Sequence, residues 1–222
     1  MLVAVLLRLG VLVPASASAV VLFTDRDAWL NASGGANFIE DFEGFTDTAI
    51  FGGAPLATNH FTLSAVNPLN PAFLYIDTLP LATVSGVEFT TNKLVGFVDE
   101  DGVSFEMQFA PALTAWGSDY SGAASGEGLH IGLAAGAGVL IELDIDADDG
   151  FIGFVLESGE AAFDRVLFTS ADRTPDDELG RGEVFALDNV AGIAMPPSVP
   201  APATLLLLLT ALGLGAFVRR MA

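Results

Sequence analysis

Along residues 104–109, Phe105, Met107 and Phe109 alternate with Ser104, Glu106 and Gln108. Along residues 139–146, Ile141, Leu143 and Ile145 alternate with Glu142, Asp144 and Asp146. A period of two puts every second side chain on one face, so both stretches predict half-buried β-strands. LVGFV leads into VSFEMQF through Asp99-Glu100-Asp101-Gly102, and LIELDID leads into FIGFVLE through ADDG. Both connections carry turn-forming residues and predict hairpins. Further strand candidates are FIEDFEGF, HFTLSAV, AFLYID, GVEFTT, LTAWGSDY, AFDRVLFTS and VFALDNV. About ten short strands with acidic turns predict an all-β fold, an antiparallel β-sandwich of the jelly-roll kind.

One helix interrupts the pattern. Thr24 precedes DRDAWLNA and is the expected N-cap, with Asp25 and Asp27 near the positive end of the helix dipole. Gly34-Gly35 is the expected stop.

The two ends break with the alternation. Residues 1–19 are short and apolar and finish in Ala17-Ser18-Ala19, which predicts a secretory signal peptide cut after Ala19. Arg8 lies inside the apolar run, with no basic cluster before it. Residues 20–195 are the expected ectodomain, and 196–202 form a Pro-rich linker. Residues 203–218 carry no charge. As a helix they span roughly 24 Å, somewhat short of a ~30 Å hydrocarbon core. They are apolar on every face, which predicts a transmembrane helix rather than a surface helix of the domain. Arg219 and Arg220 open a four-residue tail that stays on the cytoplasmic side, leaving the bulk of the chain outside.

Val199-Pro200-Ala201-Pro202, the leucine-rich run and Arg219-Arg220 resemble a PEP-CTERM sorting signal in its VPAP form. Ala201 stands where that family usually has Glu. The resemblance implies an exported protein of a Gram-negative bacterium that makes extracellular polysaccharide. It implies an exosortase as partner, a transient stay in the inner membrane, and a final place at the cell surface or in the matrix. Pro200 and Pro202 would carry the sorting motif. The order FTDRDAWLNASGG, IEDFEGF, LTAWGSDYSG, FIGFVLESGEAAFDRVLF, FALDNV is similar to PEP-CTERM ectodomains and to jelly-roll carbohydrate-binding modules.

Charge narrows the partners. All 28 acidic residues lie between Asp25 and Asp188, and only Arg26, Lys93, Arg165, Arg173 and Arg181 share that stretch, so it is more negative than the whole chain at −20. Such a field repels nucleic acid and anionic lipid and suits hard cations such as calcium. There is no cysteine, which excludes disulfides and thiolate chemistry.

Glu43 in DFEGF and Asp188 in ALDNV fall on the first and last strands of the expected fold, which neighbour each other in a jelly roll. Phe185 and Leu187 would face the core and leave Asp188 on the other side. Two carboxylates brought together repel unless a cation lies between them or loop amides satisfy them. Asp41 and Asn189 would complete an oxygen set for Ca2+, and the related binding modules imply a structural calcium at these positions. DIDADDG fails as an EF-hand: counted from Asp144 the twelfth residue is Val155, and counted from Asp146 Gly150 falls fifth rather than sixth. The acidic stretch around Asp172, Asp176, Asp177 and Glu178 reads as a solvated loop.

Trp116, Asp119 and Tyr120 form a candidate sugar site, ring faces stacking on the ligand and the carboxylate bonding to its hydroxyls. No G-x-S-x-G, H-E-x-x-H, P-loop or dinucleotide motif occurs, and His60 and His130 are the only histidines. The expectation is therefore a non-enzymatic surface or matrix protein. The alternatives are a carbohydrate-binding module for extracellular polysaccharide and a glycan-active hydrolase.

Overall fold

The computed structural model describes residues 19–66, 74–78, 89, 91–99, 104–123, 128–145, 147–170 and 182–196. In chain order these form β1 (Val20–Phe23), α1 (Arg26–Ser33), β2 (Phe38–Glu40), β3 (Ala49–Ile50), β4 (Leu56–Ala57), β5 (Phe61–Val66) and β6 (Tyr75–Asp77). Then come β7 (Lys93–Asp99), β8 (Ser104–Ser121), β9 (Leu129–Ala135), β10 (Gly138–Ile145), β11 (Asp149–Leu156), β12 (Phe163–Ser170) and β13 (Gly182–Ala194). The signal peptide apart from Ala19, the sorting motif with Pro200 and Pro202, the apolar run and Arg219-Arg220 lie outside the described residues. So do Asp172, Asp176, Asp177, Glu178 and most of GVEFTT. Among the described residues no helix is long and apolar enough to cross a membrane.

The fold is all-β and antiparallel, sandwich-like in section. Its backbone is β8, an 18-residue strand where the alternation predicted two. The first half of β8 pairs with β5 and β12, and the second half with β11 and β13. The long path of the sheet runs β10-β9-β12-β8-β13-β7-β6-β3. Opposite Asp164, β8 carries a bulge: Phe163 faces Leu113 while Arg165 faces Gln108, and the Ala110–Pro111 peptide inside it is cis.

Neither predicted hairpin forms. β13 lies between β7 and β8 and pairs with both. β10 pairs with β9 instead of β11, through a turn in which Gly136 has φ 56°. Short acidic connections made sequence neighbours look like spatial ones. The 13-residue C-terminal strand ladders with β7 along one edge and with β8 along the other, and so takes the place between them.

The main core gathers side chains of period two from facing strands. Phe105 stacks on Phe168 at 4.5 Å, and Phe185 lies within 6 Å of both rings, at 5.8 Å and 5.9 Å. Gly96 makes room for this triplet, since a Cβ there would sit 2.5 Å from Phe105 Cε1 and 2.8 Å from Phe185 Cζ. Glu106, expected to face solvent, is buried because β5 and β12 flank β8 on both edges, and it pairs with Arg165 at 3.3 Å.

A smaller cluster lies on the opposite face, under α1. Trp29, Ala115, Phe151 and Ala191 form it. The Trp29 indole N–H donates to the Phe154 carbonyl at 3.2 Å, and its ring occupies the space left by the missing Cβ of Gly153. The helix is capped by Asp25, one residue later than predicted. Asp25 has extended backbone, and its carboxylate accepts from the Ala28 amide at 2.7 Å, which is the third residue of the helix. Gly34, at φ 79°, ends it as expected.

Candidate functional site

Register lines up the charged residues of four neighbouring strands. Asp77 of β6 faces Lys93 of β7. Leu94 of β7 faces Leu187 of β13, so one residue further on Asp188 comes level with Lys93. Asp188 in turn faces Asp119 of β8, and Asp119 faces Phe151 of β11. Period two explains the shared face: Phe185 and Leu187 point into the main core, as predicted, and leave Asp188 on the α1 side.

Helix α1 closes one end of this row. Arg26 Nη2 is 2.7 Å from Asp119 Oδ2, its Nε donates to Asp119 Oδ1 at 3.2 Å, and its guanidinium lies 5.0 Å from the centre of the Phe151 ring. Arg26 also donates to the Asn189 carbonyl at 3.3 Å, and the Asn189 amide donates to Asp119 at 3.0 Å. At the other end Lys93 Nζ is 3.2 Å from Asp77 Oδ2, and both side chains are buried, at 0% and 1% exposure.

The four predicted calcium ligands fall around the β2–β13 edge. Glu40 of β2 pairs with Val190 of β13, which brings the FIEDFEGF segment beside the last strand, though Glu43 itself lies in the turn after β2 rather than on a strand. Asp188 is buried, its two oxygens accepting from the Thr91 hydroxyl at 2.9 Å and the Asn189 amide at 2.6 Å. Glu43 accepts from the Asn92 amide at 2.9 Å, and Asp41 accepts from the Glu43 amide at 3.1 Å. Phe42 and Asn189 adopt φ of 58° and 50°, which turns the chain sharply beside these carboxylates. Burial raises the Asp188 pKa above the ordinary value; Thr91 and the Asn189 amide pull it back, and Asp119 and Asp41 push it further up. The donors are hard oxygens that suit calcium. Among the described residues, however, no three His, Asp or Glu side chains converge closely enough to cage a metal. Internal hydrogen bonds engage Asp188, Glu43 and Asp41, while Glu40 Oε2, buried at the same edge, has no hydrogen-bond partner among the described residues.

The predicted sugar site divides. Trp116 is fully buried, its ring 6.1 Å from Phe154 and 6.1 Å from Phe168, so its face is not open to a ligand. Its position in β8 puts it on the core side, the parity opposite to Asp119. Tyr120, four residues on from Trp116, is likewise a core residue and only 7% exposed, yet its side lines a cavity of about 330 Å³ together with Asp119, Phe89, Ser121, Asp149 and Gly150. Burial, and then the nearby Asp149, raise the Tyr120 pKa above 10.0, so the phenol keeps its proton and can donate to a ligand.

No family model, curated protein or solved structure matches this chain. The site therefore stands on its own geometry. Sequence reasoning missed Asp77, Lys93, Arg26 and Asp149. A signal for one of them was present: Lys93 is the only lysine of the chain.

Proposed function

We propose that this is an exported, non-enzymatic surface or matrix protein whose β-sandwich is displayed through a PEP-CTERM-like C-terminal signal. The observation that carries the reading is the order of parts after β13. A sheet strand ending at Ala194 is followed by the Pro-rich segment with Pro200 and Pro202, the uncharged run 203–218 and Arg219-Arg220. On this reading an exosortase is the processing partner, the inner membrane of a Gram-negative cell is the transient site, and residues 1–19 direct export. The sandwich is of the jelly-roll kind, supported by the neighbouring β2 and β13. Expression of the full chain in an exosortase-bearing host, followed by mass spectrometry of the extracellular pool, tests it. The expected product lacks Arg219-Arg220, and a secreted form that still carries them overturns the reading.

A second reading is favoured by the cavity beside Asp119 and Tyr120. A neutral phenol, two carboxylates and the Phe89 ring offer hydroxyl-bonding and stacking groups of the kind that hold a sugar of the cell's own polysaccharide. A calcium ion beside Asp41 and Asp188 would offset the burial that chiefly raises the Asp188 pKa and the repulsion from Asp119 and Asp41 that adds to it. A glycan array run with calcium and with chelator tests both. Tyr120→Phe is expected to weaken sugar binding, and chelator is expected to lower the melting temperature. An array without signal, or a melting curve that chelator leaves unchanged, removes the corresponding part.

A further inference from the structure

The only lysine of this chain is buried at 0% exposure, directly across an antiparallel pair from an aspartate exposed by 1%, with 3.2 Å between Nζ and Oδ2. Every other basic residue is arginine. Arginine is the better partner for a buried ion pair, because its planar fork holds a carboxylate through two bonds and is more weakly hydrated. Lysine differs in one respect that matters here. Once it gives up a proton, it is a primary amine able to attack a carbonyl carbon.

We propose that Lys93 and Asp77 condense in the folded chain to an amide that cross-links β6 to β7. In the first step one proton moves from the ammonium to the carboxylate, giving an amine and a carboxylic acid. The amine nitrogen attacks Asp77 Cγ and forms the C–N bond. The Cγ–OH bond then breaks, and the hydroxyl leaves with the second amine proton as water. One amide and one water result, with no change of oxidation state and no co-reactant. The fold supplies proximity: cross-strand register holds the pair together, and well-oriented intramolecular partners reach effective concentrations of about 10⁵–10⁸ M. Burial keeps bulk water from reversing the step.

The purified full-length protein and its Lys93→Arg and Asp77→Asn variants test the proposal by mass spectrometry. The wild type is expected to be lighter than its processed sequence by one water. It should resist trypsin after residue 93 and give a branched peptide joining Asp77 to Lys93. Asp77→Asn is expected to lose one ammonia instead, and Lys93→Arg to lose nothing. Amine labelling of the denatured wild type should mark the N-terminus alone. A wild type of full sequence mass with a labelled Lys93 overturns the proposal. So does a water loss that persists in Lys93→Arg, which would mark cyclisation of an aspartate with its own backbone. Because the wild-type mass and the branched peptide decide the matter, a variant that fails to fold does not.

Discussion

Two ion pairs lie on the same face of the sheet, a few strands apart, and their surroundings make them different objects. Arg26 and Asp119 are each about a quarter exposed, at 26% and 27%, and are held by a fork, a ring face and the Asn189 amide. Lys93 and Asp77 are dry. In water-facing surroundings attraction is screened, and losing one partner leaves the other solvated. In a dry site the survivor is a buried charge that has lost its opposite neighbour. The contrast shows that strand register alone does not set the worth of a charge pair; the cover over it does.

The sharpest way to break the comparison is to orphan each cation in turn. Asp77→Ala is expected to cost at least about 3–5 kcal/mol in urea unfolding, because it leaves the Lys93 amine buried and removes both its carboxylate neighbour and the link proposed between them. A loss as small as that of an exposed pair would mean that the site opens to water. Next in size is the helix cover. Gly153→Ala would set a Cβ 2.5 Å from Trp29 Cδ1 and 2.8 Å from Phe151 Cε1. Overpacking of this kind costs about 1–3 kcal/mol. It should also displace α1, so that Arg26→Ala costs less in that background than in the wild type. A double-mutant cycle reads this directly.

Arg26→Ala alone is expected to cost about 1 kcal/mol at low salt, with the difference shrinking as salt shortens the screening length from ~10 Å at 0.1 M to ~3 Å at 1 M. The Asp77→Ala penalty should be nearly independent of salt. The smallest effect concerns Asp188, which lies between the two pairs. Its folded pKa is raised above the ordinary aspartate value of 3.8, so the folded state binds the proton more tightly than the unfolded one. Stability from this group is therefore present below 3.8 and is lost as pH rises through the window above that value. In calcium-free buffer, Asp188→Asn should flatten that decline in melting temperature. A wild type whose stability climbs with pH through the same window would contradict the assigned direction.

Much of this architecture was legible in the chain. Period-two stretches such as Phe105–Phe109 and Ile141–Ile145 became strands with those faces inward, and Gly34 stopped the helix. What escaped was pairing. β9 alternates Leu129, Ile131 and Leu133 with His130, Gly132 and Ala134, but burial of both faces and the small residues between weaken that pattern, and the true hairpin with β10 went unseen. Insertion of β13 between β7 and β8 is a long-range choice that no local turn reports. At the site, Glu43, Asp41 and Asp188 were chosen by residue type alone, and Glu43, expected on a strand, lies in the turn that follows β2. Trp116 misled because a tryptophan in a strand offers no parity of its own; only its partners Phe154 and Phe168 decide which face it takes. Lys93 escaped because strand patterns treat lysine as an outward residue.

The position of β13 has a mechanical consequence. This strand runs from Gly182 to Ala194 and is bonded to β7, β8 and β2, while the residues that follow it lead toward the apolar run. A pull transmitted through that segment along the strand axis loads the ladders on both edges of β13 in shear. Many hydrogen bonds must then fail together, instead of one after another as at a free edge that peels. A domain tethered in this way would yield at a high force and over a short extension.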